Sequence, residues 1–472
     1  MRKIIVEQNA LTTLMVEMIN GEFTRYYIES GSNQQNQIIV GRVMQVVKNL
    51  EAAFVDFGDK KNGMLPFKSF PDDIKSKSPG MLLPVQVVRQ NLGDKGHKLT
   101  AKPSISGSYL VCLIKEQGIS ISSKIKDKEV RDRLKKLLNK VNKENGSNYG
   151  FIVRTHALEA SDEQLVDDAL RLITRADEIL NAASHYTKGT VVYGDSSYIK
   201  DKVRELITKA DDCLDEIEII TNDNALYSYL EALSGRTDNT KITFNDEVAL
   251  LNLYCSRKKI DELTNRKVWL KSGGNLCIDN TEAMTVIDVN SAKLTSKKNH
   301  DNAVMQLNKE AIKESILQIL RRNISGIIII DLVEIKSKEG QAELYSYAKS
   351  LLEEFEDNRT KVYKINELGL MQLSRMRKNQ SIMQQLSDTC PCCNALYSVS
   401  SYLKNLMQLE EKLKNVRLEN GKQLVSIVAQ NDIYDKLIAD DIINALERKY
   451  PVKININRGN VSLNHVFNYK FQ

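Results

Sequence analysis

Two apolar runs in the second half of this sequence each end on an aspartate: Met284 to Ile287 leads into Asp288, and Ile327 to Ile330 leads into Asp331. A long periodic segment, about Asn302 to Arg322, reads as a helix leading through Ser325-Gly326 into the strand IIIIDLVEI. A second helix, about Gly340 to Phe355, precedes the strand KVYKIN. Strands alternating with helices predict an α/β domain whose sheet edges carry Asp288 and Asp331. A carboxylate where a buried strand emerges is expensive to bury unless something compensates, and a hard divalent cation held by oxygen ligands does so. Magnesium favours one or two carboxylates together with water and phosphate oxygens. Asn290 leaves the strand on the same side as Asp288 by period-two alternation, placing a neutral amide where it can orient water or a phosphate. For a lone strand-end aspartate the competing reading is a cap on the following helix or turn.

The rest of the chain is too long for one core: 472 residues predict several domains. With 42% hydrophobic and 27% charged residues it is neither a disordered tail nor a membrane bundle. The formal charge of +6 is too mild to diagnose a polyanionic partner. No apolar run reaches the ~18 residues that span a bilayer, and MRKIIVEQNA lacks a signal-peptide core, so a cytoplasmic protein without membrane contact is expected.

From the N-terminus, KIIVEQ, LTTLMVEMI and EFTRYYIES read as strands, the last two joined by a tight Asn20-Gly21 turn. IIVGRVMQVV, AAFVDFG, GMLPF and MLLPVQVVRQ, punctuated by Gly and Pro, predict a small β-barrel. Val130, Leu134, Leu137, Leu138 and Val141 mark an amphipathic helix between 124 and 145, and Ser161 with Gln164 forms a capping box for a helix running to about Leu180. From 241 the pattern turns mostly helical. Seven cysteines, three of them in the run CPCC at 390 to 393, do not make a secreted disulfide framework. Two of the three thiols Cys390, Cys392 and Cys393 would supply half of a tetrahedral thiolate zinc site, the run itself leaving open which two, and a metal-free cluster of reduced thiols is the competing reading.

The segments TEAMTVIDVNSAK (281 to 293) and GIIIIDLVEI (326 to 335) resemble the two metal-site segments of the ribonuclease E/G family. ELGLMQLSRMRKNQS (367 to 381) resembles that family's Gly-Leu-rich, Arg/Lys-rich segment, and a Cys-Pro-x-Cys follows in the expected order. The resemblance covers essentially the whole chain, whose length is nearer the ribonuclease G branch, with no long disordered scaffold expected. It implies a magnesium-dependent endoribonuclease of multidomain α+β fold. A deoxyribonuclease-I-like catalytic domain (263–386) would hold Mg2+ on Asp288 and Asp331, assisted by Asn290. A nearby acidic position that many members fill with Asp carries Glu334. An OB-fold domain (36–102) would bind RNA through Phe54 and Lys95, with Met64 in the place of a second stacking aromatic and so without its π face.

By the same resemblance a sensor region (103–199) would bind a 5′-monophosphate end, Gly107 and Val111 shaping the pocket and Arg154 with Thr155 holding the phosphate. Lys361 would be an additional basic residue of that pocket. A ribonuclease-H-like domain in two parts (1–35 and 200–262) would be structural. A link (387–400) would share Zn2+ between Cys390 and Cys393 of two subunits, and a small domain (401–472) would join the homodimers into a homotetramer. The implied substrates are single-stranded, AU-rich RNA, including rRNA precursors and mRNA, cut to 3′-hydroxyl and 5′-phosphate products. Two rivals are a non-catalytic RNA-binding or ribosome-assembly factor and a metal phosphodiesterase acting on DNA.

Overall fold

A computed structural model of the chain describes residues 1–30, 36–59, 61–89, 96–122, 125–158, 160–194, 197–213, 216–234, 239–255, 257–291, 300–335, 337–377, 379–390, 392, 399–415, 423–459, 461 and 467–471. They form two units, 1–31 with 213–472, and 32–212. Among the described residues no helix is long and apolar enough to cross a membrane.

In the first unit a six-stranded mixed sheet runs in the order Lys267–Trp269, Asn275–Asn280, Met284–Asn290, Gly326–Asp331, Leu370–Arg375, Thr360–Val362. Alternation assigns its faces: Leu276, Ile278, Ile287, Val289, Ile328, Ile330, Met371 and Leu373 are buried. They pack beneath the helices His300–Arg321 and Lys338–Glu354, through residues such as Leu307, Ile312, Ile316, Leu344 and Leu351. Fully burying an Ile or Leu contributes about 1.5–3 kcal/mol, so this one-sided packing fixes which side chains are left facing outward. Met284–Asn290 and Gly326–Asp331 are adjacent interior strands of the sheet. The second of them stops at Asp331 instead of continuing to Ile335, and the KVYKIN strand is reduced to Thr360–Val362.

A second sheet of this unit orders Thr240–Phe244, Ile217–Thr221, Arg2–Gln8, Thr12–Ile19 and Glu22–Ser30. The turn between its last two strands has φ of 51° at Asn20 and 79° at Gly21, the conformation a tight hairpin requires. Thr240–Phe244 is extended where a mostly helical pattern is expected, because its partner is the parallel strand Ile217–Thr221. A three-stranded sheet (Val452–Arg458, Gln423–Ala429, Phe467–Phe471) packs with the helix Tyr402–Leu413 near the C-terminus. Lys414 and Glu7, both almost fully buried, form an ion pair that ties the end of that helix to the first strand.

The second unit contains a closed five-stranded barrel of OB-like form. Ile38–Val47 pairs with Ala52–Asp56 on one side and Leu82–Arg89 on the other, and Gly63–Pro66 and Lys98–Thr100 complete the ring. Beside it lies a four-stranded sheet in the order Ile119–Ile121, Gly150–Val153, Leu110–Leu113, Ser104–Ser106. The helices Lys128–Glu144 and Asp162–His185 pack with that sheet in one core. The expected capping box is present: Ser161 accepts from the Gln164 amide while the Gln164 side chain accepts from the Ser161 amide.

Candidate active site and barrel surface

The alternation that buries Ile287 and Ile330 turns the next residues the opposite way. Asp288 and Asp331 are exposed, and they are register partners on adjacent parallel strands, so both carboxylates leave the same face. Their backbones are one strand spacing apart, about 4.8 Å. Asn290, also exposed, donates from Nδ2 to Oδ2 of Asp288 at 2.7 Å. Its amide also lies 3.9 Å from the Cys277 thiol, which belongs to the strand on the other side. The Asp331 carboxylate makes no hydrogen bond or ion pair among the described residues.

The position of Asp331 is secured from behind. Asn308, fully buried in the long helix, donates to the Val333 carbonyl at 2.8 Å and accepts from the Val333 amide at 3.0 Å. This double bond pattern ends the strand just beyond Asp331 and holds the chain as it leaves the sheet. Sequence reading missed Asn308; the available signal was an amide beside Leu307 on the apolar face of its helix. Glu334 lies in the irregular segment that follows, exposed. Among the described residues no group of three or more His, Cys, Asp or Glu side chains is arranged so that it could hold a metal ion. The donor set is two carboxylates and an amide oxygen, hard ligands that suit a magnesium ion retaining water better than a closed protein cage.

On the barrel, Phe54 and Met64 are direct register partners, and Met64 is in turn the partner of Lys98. Val55 and Leu65 are fully buried, so Phe54 and Met64 point out of the barrel; Met64 is 37% exposed. Lys95 lies outside the described residues.

The residues expected around a terminal phosphate converge on the four-stranded sheet of the same unit. Val111 is the register partner of both Ser106 and Ile152, and all three are on the face away from the core. Arg154 leaves the end of the strand on that face and donates from Nη2 to Ser106 Oγ at 2.9 Å. The Thr155 hydroxyl lies 3.2 Å from that of Ser122. Burial first, and then the like charge of Arg204, push the pKa of Arg154 down, although an arginine remains charged at neutral pH. The charges of Asp168, Asp201 and Glu205 act in the opposite direction, so Arg154 is a half-buried cation with acidic as well as basic neighbours. Gly107 has a separate reason to be glycine: a Cβ there would meet both carboxylate oxygens of Asp168 at 2.6 Å. Asp168, 3% exposed, accepts from the amides of Ser108, Tyr109 and Leu110 and clamps this turn. Ser106, Asp168 and Arg204 were not singled out in the sequence, where a lone serine, helix aspartate or helix arginine carries no pattern.

Lys361 belongs to the other unit, exposed on Thr360–Val362. Cys390 is half-buried and Cys392 exposed; Cys393 lies outside the described residues.

The sequence model of the Ribonuclease E/G family matches residues 104–378. Among similar proteins, the Ribonuclease E of Nostoc sp. is 28% identical over 407 residues, covering 83% of this chain and 58% of that protein. The Ribonuclease E of Haemophilus influenzae is 28% identical over 456 residues, 91% of this chain and 47% of its own length. The Ribonuclease G of Escherichia coli is 28% identical over 421 residues, 82% of this chain and 84% of its own length. The chain thus spans about half the length of these two ribonucleases E and most of the ribonuclease G.

Proposed function

The chain belongs to the ribonuclease E/G family, and from that premise we propose that it is an endoribonuclease cutting single-stranded RNA with magnesium held by Asp288 and Asp331. The observation that carries this reading is the pair of carboxylates in register on neighbouring parallel strands, with the Asn290 amide donating to one of them. When bound, magnesium supplies charge stabilisation at the scissile phosphate and lowers the pKa of a coordinated water. The chain's own residues do the positioning. Asp288 orients the Asn290 amide, which is then placed to hydrogen-bond a phosphate oxygen, and Asn308 keeps Asp331 at the matching height. Water adds to phosphorus and the bond to O3′ breaks, leaving a 3′-hydroxyl and a 5′-phosphate.

The barrel would hold the single strand. Phe54 offers a ring for base stacking, Met64 a softer apolar contact beside it, and Lys95 a charge for the backbone. Arg154 and Thr155, with Gly107 and Val111 around them, would bind a 5′-monophosphate, since a guanidinium matches phosphate oxygens and a hydroxyl adds a donor. Cys390 and Cys393 would share zinc with a second subunit, giving a dimer and, through 401–472, a tetramer. The substrates would be AU-rich segments of rRNA precursors and mRNA. Incubating the purified chain with a 5′-monophosphorylated AU-rich oligoribonucleotide, with and without magnesium, tests the reading. Internal cuts that require magnesium support it; an intact strand under both conditions refutes it.

A further inference from the structure

The face that carries the aspartates extends to the edge of its sheet. Following the register outward, Asp331 pairs with Asp288, Asp288 with Cys277, and Cys277 with Lys267 on the edge strand. A second row runs alongside from Asn290 to Asn275 to Trp269. Val268, between Lys267 and Trp269, is 3% exposed and joins the core, so the two flanking side chains share the face of the carboxylates. Trp269, the one tryptophan of the chain, is 65% exposed, and the Lys267 ammonium sits 4.4 Å from its ring centroid. Among the described residues Lys267 meets no carboxylate at ion-pair distance, whereas its neighbour Arg266 is committed to Asp279 through two hydrogen bonds.

An indole left this open gains nothing from the core, and its place is two strand spacings, about 10 Å, from Asn290. That is within reach of a nucleotide close to a phosphate bound at the aspartates. The Lys267 ammonium lies over the indole and meets no carboxylate among the described residues, and a π face with such a cation is the combination that recognises a base together with its phosphate. We propose that Trp269 and Lys267 form a subsite of the cleavage face, Trp269 stacking on a base that flanks the scissile phosphate and Lys267 holding an adjacent backbone phosphate. The proposal rests on the reading that RNA is cut at Asp288 and Asp331; it adds where the strand lies on leaving them. A base-stacking platform tolerates any base, so the subsite would favour unpaired RNA over duplex without imposing a sequence.

Because Trp269 is the sole tryptophan, its emission reports this site alone. The full-length Asp331→Asn chain, in magnesium, is titrated with a dye-labelled single-stranded oligoribonucleotide while anisotropy follows binding and tryptophan emission follows the subsite. The expected result is emission that is quenched and shielded from acrylamide in step with anisotropy, with no such change for duplex RNA of the same length. Trp269→Ala should weaken binding roughly ten- to hundred-fold, as for loss of one base stack, while Trp269→Phe restores most of it. In the otherwise unaltered chain the same substitution to Ala should raise KM and leave kcat nearly constant. Saturated binding with unchanged emission and an Ala variant within about twofold of its parent would overturn the subsite while leaving the cleavage reading intact. Emission already shielded without RNA, and released on dilution, would overturn it in favour of a second copy covering this face. Failure of the parent chain to cut single-stranded RNA would instead overturn the reading on which the subsite depends.

Discussion

Replacing Gly107 by alanine tests whether the turn before the proposed phosphate-end pocket is built around one buried carboxylate. The added Cβ would lie 2.6 Å from both oxygens of Asp168 and 2.8 Å from its Cγ. Asp168 must therefore withdraw by about 1 Å to reach ordinary van der Waals separation. It is 3% exposed on a packed helix and accepts from three consecutive amides at 3.0, 2.9 and 3.1 Å, so a shift of that size lengthens bonds that have no slack. Hydrogen bonds to a charged acceptor contribute about 1.5–3 kcal/mol each, and those sharing one carboxylate are not independent, so the expected loss is about 2–4 kcal/mol. For a unit of this size that corresponds to roughly 4–16 °C in the melting of 32–212. Hydrogen exchange at the amides of Ser108, Tyr109 and Leu110 should accelerate first, and preference for a 5′-monophosphate should fall with it. In an Asp168→Ala background the same Gly107→Ala change should be nearly neutral. A loss below about 0.5 kcal/mol, or an equal loss in both backgrounds, would refute the clamp.

Three further outcomes are expected. Arg154→Ala should reduce discrimination between 5′-monophosphate and 5′-hydroxyl RNA by about 1.5–3 kcal/mol, roughly ten- to hundred-fold in kcat/KM; an unchanged ratio would show that the phosphate binds elsewhere. Purified chain should contain about half a zinc per subunit, and serine at both Cys390 and Cys393 should remove the metal and dissociate the dimer in light scattering; the same metal content and mass in the variant would exclude a shared thiolate site. Asp357→Ala should lower the unfolding free energy in urea by about 3–5 kcal/mol, because it strands Arg375, whose buried guanidinium donates to Asp357 at 3.0 Å. Burial opposes ionisation of Asp357, yet the charges of Arg375 and Arg359 and the Thr360 hydroxyl hold its carboxyl below the ordinary range. That stabilisation is present above an unfolded-state value of about 3.9 and is lost as pH falls through the lower folded value, a slope that Asp357→Asn should abolish.

The two aspartates stood out because a charge that ends an apolar run is expensive to bury, but that pattern alone left a helix or turn cap as the competing reading, and the resemblance to the family singled them out; alternation put Asn290 on the side of Asp288. The sheet around them was less so. Four consecutive isoleucines, Ile327 to Ile330, have no periodicity, so nothing local says that Ile328 and Ile330 face the helices while Ile327 is half exposed. Whether the strands are central or at an edge depends on Asn275–Asn280 and Leu370–Arg375, whose own apolar patterns do not name their partners. The pairing of Arg2–Gln8 with Ile217–Thr221 joins segments separated by the whole second unit, a choice made by tertiary packing. In the proposed phosphate-end region Arg154 and Thr155 were named only through the resemblance to the family, and Ser106 and Asp168 become visible only once the fold brings residues 106 to 110 against 154 and 168. Trp269 carried no signal in the sequence because exposure, not identity, is what makes it unusual.

The central claim is that paired carboxylates, and not the barrel, perform the cut. It is tested most directly by measuring cleavage and binding of one 5′-monophosphorylated oligoribonucleotide in magnesium by the parent chain, Asp288→Asn and Asp331→Asn. Each substitution removes one negative charge from an exposed site without opening a cavity, so folding should be retained. The account predicts that either variant loses cleavage by orders of magnitude, as for removal of a principal charge-stabilising group, while RNA binding stays within a few-fold of the parent. Near-normal cleavage by either variant would contradict it.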